Sequence, residues 1–351
     1  MSPFSKRDLI FLFIVFFAVW LAVFGSRKNR LYSDNAITSE QTISVELYSS
    51  TSLDQLAETL DSLQLTFDRD ELIWAGRTLG WRNFRPGRYV IDGGISYSKL
   101  LSNMAKGIQT PARVTVLSGS DIGRLSRSLS AQLRPDSSDF AAIFSDSSDL
   151  AIELNLSGEQ LFSRMLPNTY EIFWTSNAES VVRRIHSEFN RLVANRYQEE
   201  ISENRLDLDE IITLASIVEW EARVNAEKPK ISGLYLNRLK RNMLLQADPT
   251  VIYALGERRR LLFEDYTIDH PYNTYIISGL PPGPITNPDE ASVRAVLNPE
   301  EHEYLFMVAT PEGSHKFSET FEEHRIASEE WRRWIREQYR LRDEREAAGN
   351  Q

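Results

Sequence analysis

The chain begins with an uncharged apolar run from Leu9 to Phe24. Roughly 17–25 residues of helix span a bilayer, so this run with Gly25 predicts a transmembrane helix over residues 9–25 after a short N-terminal segment, 1–8. A cleaved signal peptide would share the basic start and apolar middle. Phe24, however, stands where a cleavage site needs a small residue, so an uncleaved anchor is expected. Residues 26–42 are polar and aperiodic and read as a juxtamembrane linker. Lys6 and Arg7 before the run are matched by Arg27, Lys28 and Arg30 after it, so charge bias assigns no orientation.

From Ile43 the pattern changes to short alternating elements. Ile43–Leu47 reads as a strand, and apolar positions at 53, 56, 57 and 60 predict a helix opened by a Ser or Thr cap. A second helix is expected over Arg69–Gly80 and a third over Tyr97–Gly107. Pro86-Gly87 punctuates a turn into a strand that includes Tyr89, and Arg113–Leu117 is a further strand. Beyond it, the Ser/Asp cluster from Asp136 to Asp149 reads as a mobile or variable surface stretch. Asp207 and Glu210 have the spacing of a helix start, followed by Ile211–Glu219. The last segment, Glu329 onward, is a charged helix whose Trp331, Trp334 and Ile335 form an apolar stripe expected to dock on the preceding domain.

The 351 residues suffice for two or three domains beyond a membrane segment, and 42% hydrophobic content supports true cores. The first thirty residues carry a net +4, leaving −14 for the rest of a chain that totals −10. That balance excludes nucleic acid as a partner. Absence of cysteine excludes disulfides and thiolate metal sites, and five scattered histidines have no ligand spacing, so neither metal nor cofactor is expected.

The chemistry concentrates in one stretch. Helical spacing puts Ile212, Ala215, Ser216 and Glu219 on one stripe, so Glu219 is expected to emerge from a buried face, where lost hydration raises a carboxyl pKa. A general acid working near neutral pH needs that property. Glu221, roughly 200° further around the helix, is expected to anchor it or to pair with a base. Downstream come Leu245-Gln-Ala-Asp-Pro-Thr250, Pro271-Tyr-Asn-Thr-Tyr275, Gly279-Leu-Pro-Pro-Gly-Pro-Ile285, Tyr304-Leu-Phe306 and His315 to His324. Asp248 is expected to assist charge development or to cap a helix near Thr250. Tyr272, Asn273, Thr274 and Tyr275 offer aromatic faces and amide donors suited to N-acetyl sugars. Leu280 and Pro281 belong to a stiff loop fit to wall a groove.

Together and in this order, these motifs and Leu214-Ala-Ser-Ile-Val-Glu-Trp-Glu221 resemble the catalytic domain of the endolytic murein transglycosylases, the MltG or YceG-like family. Met165-Leu-Pro-Asn-Thr-Tyr170 resembles the segment that precedes the family's catalytic helix, and residues 43–116 resemble its small LysM-like subdomain. Ser118 stands where the family usually has Glu, and Trp220 where a polar residue is common.

The resemblance implies an α+β fold: an N-terminal transmembrane helix, a LysM-like α+β subdomain, and an α+β YceG-like catalytic domain over 117–351. It assigns the acid to Glu219, with Ser216 and Glu221 supporting and Gln246, Asp248, Tyr272, Asn273, Thr274, Tyr275, Leu280 and Pro281 binding substrate. It implies non-hydrolytic cleavage of peptidoglycan glycan strands after N-acetylmuramic acid, leaving 1,6-anhydro ends. One carboxyl suffices because the substrate's own C6 hydroxyl is the nucleophile, whereas hydrolytic glycosidases pair two carboxylates. The implied setting is the bacterial inner membrane, with the body on the extracytoplasmic side and peptidoglycan synthases as further partners. The rival readings are a water-using muramidase with Asp248 as second carboxylate, and a non-catalytic glycan-binding scaffold.

Overall fold

A computed structural model describes residues 5–222 and 224–349, so residues 1–4 of the N-terminal segment and 350–351 of the last domain lie outside it. The chain divides into two compact units. One holds the residues up to Arg113 together with Glu171–Ser176, and the other holds Val114–Tyr170 with the residues from Asn177 onward.

Helix α1 spans Lys6–Tyr32, opened by a reciprocal cap between Ser5 and Asp8. It is long and apolar enough to cross a membrane, and its residues from Leu9 to Phe24 are exposed. It does not stop at residue 25. Nothing from Ser26 to Leu31 breaks a helix, and tertiary contacts hold the extension: Leu31 joins the core, and Arg30 bonds Glu71 through Nε (2.8 Å) and Nη2 (2.6 Å). Much of the expected linker is therefore rigid helix.

The rest of the first unit keeps the expected rhythm. Its helices are α2 (Leu53–Ser62), α3 (Arg69–Leu79) and α4 (Tyr97–Lys106), capped by Ser52, Asp68 and Ser96. Gly80 and Gly107 close α3 and α4 in the left-handed region that glycine tolerates. Strands β1 (Ile37–Thr38), β2 (Ile43–Leu47), β3 (Thr51–Ser52), β4 (Thr66–Phe67), β5 (Asn83–Phe84), β6 (Gly87–Ile91) and β7 (Gly94–Ile95) pair in short sheets. The longest pairing is antiparallel β2–β6, with Val45 opposite Tyr89. Leu56, Leu60, Leu72, Leu101 and Met104 are wholly buried, so truncating one to alanine costs about 2–5 kcal/mol.

The second unit contains β8 (Ala112–Val116), which enters it at Val114, and helices α5 (Ile122–Ser130), α6 (Ser137–Ile143), α7 (Asp149–Leu154) and α8 (Gly158–Ser163). Strand β9 (Asn168–Ile172), which leaves the unit after Tyr170, and helices α9 (Ala178–Phe189), α10 (Gln198–Glu203), α11 (Leu208–Glu221), α12 (Lys228–Lys240) and α13 (Asp248–Leu255) follow. Then come α14 (Glu290–Leu297), the hairpin β10 (Phe306–Ala309) with β11 (His315–Ser318), and α15 (Phe321–Gly349).

The Asp136–Asp149 segment is not a loose surface stretch. Asp136 and Asp139 cap α6 reciprocally, Ser148 caps α7, and Phe140 and Phe144 are buried. Polar residues that read as disorder are caps, and the phenylalanines between them are core. A side chain on Gly158 would meet the Phe144 carbonyl oxygen at 2.0 Å, which fixes glycine at this crossing.

Helix α11 is the axis of the second unit. Every residue from Ile211 to Val218 is buried, so no solvent face remains along that stretch. Helix α15 packs its first turns on the hairpin. Further along, Trp331 and Trp334 are half-buried and stack on each other at 4.9 Å.

Candidate active site

Asp207 and Glu210 cap α11 reciprocally at its start, and the helix delivers both glutamates at its end. Glu219 does not meet an open cleft. Its Oε2 accepts hydrogen bonds from Lys228 Nζ (3.0 Å), Ser292 Oγ (2.6 Å) and the Asp289 amide (3.3 Å). Lys228 is 2% exposed and also donates to both Asp289 carboxylate oxygens, at 2.8 and 2.9 Å. Asp289 caps α14, so one buried ammonium ties the ends of α11, α12 and α14 together. The stripe of small and apolar neighbours on α11 is real, but other helices bring an ammonium and two donors to its end. Glu219 therefore sits in a buried ion cluster, not at the open face where its carboxyl was expected.

Glu221 faces a pocket of about 390 Å³. Gln246, Asp248 and Tyr275 line it with Glu221, as do Tyr235 and Arg238 from α12 and Phe306, His315 and His324 from the hairpin and α15. Tyr235 donates to Glu221 Oε1 at 3.1 Å. Burial, reinforced by the charge of Asp248, pushes the Glu221 carboxyl from its ordinary 4.5 up to about 7. The raised carboxyl pKa that a general acid needs is found at Glu221.

The backbone around Gln246 is held open for this purpose. Gln246 adopts a left-handed φ of 49°, uncommon for a residue with a side chain, and its amide donates to the Thr274 carbonyl at 3.0 Å. The Ala247 amide donates to Thr274 Oγ1 (3.0 Å), and the Thr250 and Thr274 hydroxyls meet at 2.8 Å. Asp248 is the first residue of α13 rather than a cap ahead of it. Its carboxylate accepts from the Tyr275 hydroxyl at 2.6 Å and stands at the helix's positive end.

Of the Tyr272–Tyr275 motif only Tyr275 reaches the pocket. Asn273 and Thr274 are fully buried. Asn273 Nδ2 donates to the carbonyls of Tyr266 (3.1 Å) and Ile268 (2.9 Å), while Thr274 braces the Gln246 loop. Tyr272 is 7% exposed and donates to Glu159 Oε2 at 3.0 Å; burial and that carboxylate raise its hydroxyl far above the ordinary range. Amide and hydroxyl groups that suit a sugar also suit other protein groups: carbonyls take the Asn273 amide, and a carboxylate takes the Tyr272 hydroxyl. Leu280 packs on the core and Pro281 is buried, so neither walls this pocket. Ser216 accepts from the Ile285 amide at 2.9 Å, fixing the proline-rich loop to α11. Trp220 also packs: the Arg258 guanidinium lies 4.1 Å over its ring and donates to the Gly119 carbonyl at 2.6 Å. The departures at Ser118 and Trp220 thus fall in one neighbourhood.

Sequence reasoning missed Tyr235, Arg238 and the part played by His315. Arg238 is 7% exposed and donates to the carbonyls of Leu305 and Leu245, both at 2.7 Å; burial lowers its pKa. Glu227 accepts from the His315 amide (2.8 Å) and pairs with ring Nδ1 (2.9 Å), which leaves Nε2 without a hydrogen-bond partner among the described residues. Tyr235 and Arg238 stand three apart on one helix, the only signal the sequence holds for them.

Comparison with known proteins agrees with this architecture. The YceG-like family profile matches residues 45–330. An endolytic murein transglycosylase of Bacillus subtilis is 27% identical over 310 residues, which covers 84% of this chain and 86% of that protein. An endolytic murein transglycosylase of Streptococcus pneumoniae is 31% identical over 167 residues, 46% of this chain and 30% of that one. The 2.6 Å crystal structure of a YceG-like protein from Listeria monocytogenes aligns with a TM-score of 0.58 and 26% identity, covering 82% of this chain and all of that one. With a profile match over most of its length, the chain belongs to the YceG-like family.

Proposed function

We propose that this protein is a membrane-anchored endolytic peptidoglycan transglycosylase with Glu221 as its general acid. The observation that carries the reading is the contrast at the end of α11: Glu221 lines the pocket with its pKa raised to about 7, while Glu219 is held by the buried Lys228. The names of the relatives supply the substrate, murein.

In this reading the protonated Glu221 gives its proton to the glycosidic oxygen as the bond from the N-acetylmuramic acid anomeric carbon breaks. Positive charge develops on the sugar, and the Asp248 carboxylate in the same pocket favours it electrostatically. The Glu221 carboxylate then takes the proton of the muramyl C6 hydroxyl while that oxygen closes the 1,6-anhydro ring. The acid is restored, and no water enters the products. Gln246 and Tyr275 are the pocket residues suited to bind sugar, joined by the imidazole of His315.

Helix α1 anchors the chain in the inner membrane in this reading, with the catalytic unit outside the cytoplasm, near nascent strands and their synthases. The strand–helix–helix–strand order of β2, α2, α3 and β6 supports a LysM-like role for residues 43–116.

A second reading rests on Asp248, which shares the pocket with Glu221: a paired-carboxylate muramidase in which Asp248 activates water. Mass analysis of purified glycan strands digested by wild type, Glu221→Gln and Glu219→Gln separates the possibilities. Anhydro ends that disappear only with Glu221→Gln are expected. Reducing ends would establish the muramidase, and loss of activity only in Glu219→Gln would return the acid to Glu219.

A further inference from the structure

We propose that the elbow between α1 and α3 binds the headgroup of an anionic phospholipid. The proposal rests on the reading of α1 as a membrane anchor. A cavity of about 540 Å³ lies there, lined by Ala22, Val23, Ser26, Arg27 and Arg30 of α1 and by Trp74 and Thr78 of α3. Its walls are graded: apolar at Ala22 and Val23, cationic and hydroxylic beyond them. A lipid has the same gradient from acyl chain to phosphate.

Depth along the helix matches. The uncharged run ends at Gly25, and each helical residue advances about 1.5 Å, so Arg27 and Arg30 stand about 3 and 8 Å past it. A headgroup layer adds roughly 5–8 Å on each side of the hydrocarbon core. Both guanidinium groups therefore fall at phosphate level, and Trp74 lies where indole rings favour the membrane interface.

The two arginines differ in what they can offer. Arg30 is committed, 3.7 Å over the Trp74 ring and bidentate on Glu71, which fixes the cavity wall. Arg27 is exposed and has no ion pair among the described residues, so it is the cation free to meet a phosphate. Ser26 and Thr78 bring hydroxyls to the same hollow. Because α1 runs unbroken into the first unit, the hollow cannot swing away from the bilayer as it would on a flexible linker.

The test uses the full chain in nanodiscs of equal parts phosphatidylcholine and phosphatidylglycerol, with retained lipids counted by native mass spectrometry. Wild type is expected to keep phosphatidylglycerol in preference to phosphatidylcholine, and Arg27→Gln to reduce that preference about fivefold, the effect of one basic side chain at an anionic surface. Lys28→Gln changes a neighbouring cation outside the cavity lining and is expected to reduce the preference less than Arg27→Gln does. Equal retention of both lipids by wild type, or equal loss in the two variants, would overturn the site. Failure of the chain to enter nanodiscs would instead sink the anchor reading.

Discussion

Glu219 and Glu221 leave the end of one helix two residues apart and terminate in opposite settings. Glu219 bonds a lysine that is itself 2% exposed, and Glu221 bonds a tyrosine hydroxyl at the wall of a pocket. Because residues two apart on a helix diverge by roughly 200°, one carboxylate can lock the helix to its neighbours while the other faces the pocket. The lock fixes the rotation of α11 about its axis, and with it the direction of Glu221.

The raised pKa of Glu221 sets the basic limb of the pH profile. The acid must be protonated to act, so kcat/KM should fall as pH rises through about 7. Asp248→Asn removes a like charge that raises this pKa, so the limb should move to lower pH. Initial rates across pH on defined glycan strands check this, and an unmoved limb in the variant would count against the electrostatic pairing.

The same shift affects stability. Glu221 titrates higher in the folded protein than its ordinary 4.5, so the folded state holds the proton more tightly. Its contribution is fully present below pH 4.5 and is lost as pH rises through about 7. Glu221→Gln removes that loss. The variant should gain on the order of 1–3 kcal/mol over wild type at pH 8 and nothing at pH 4. Urea unfolding at the two pH values measures the difference; a gain of equal size at both would contradict it.

Lys228→Met should be among the most damaging substitutions in the second unit. It leaves Glu219 and Asp289 facing one another without the ammonium between them, at a cost of about 3–5 kcal/mol. Combining it with Glu219→Gln removes one stranded charge and should recover part of the loss. Chemical denaturation of the single and double variants tests the coupling, and simple additivity would refute it.

Asn273→Ala should act as a structural lesion with a catalytic consequence. Two carbonyls lose their amide donor inside the fold, about 1–3 kcal/mol each when left unsatisfied. The loop carrying Gln246 and Asp248 depends on adjacent Thr274, so kcat/KM should fall along with thermal stability. Tyr275→Phe removes a pocket hydroxyl and its exposed hydrogen bond to Asp248, and should reduce activity with little change in melting temperature. A stable but inactive Asn273→Ala protein would indicate direct substrate contact instead.

Local patterns were legible in the sequence alone. The apolar run of α1, the capped helices α2, α3 and α4, and the Asp207–Glu210 start of α11 are all short-range features set by periodicity and side chain-to-backbone bonds within a few residues. The motif order from Leu214 to His324 also sufficed to place the chain in its family. What the sequence could not assign was the environment of each polar group. Lys228 and Asp289 reach Glu219 across 9 and 70 residues of chain, and Asp248 reaches Glu221's pocket across 27. Asn273 and Thr274 present the same atoms to a sugar or to the protein's own backbone, and only packing decides which. Caps and periodicity belong to neighbours along the chain. A carboxyl's pKa and its access to a pocket are fixed by residues brought from elsewhere, so which of Glu219 and Glu221 faces the pocket was decided by the tertiary structure.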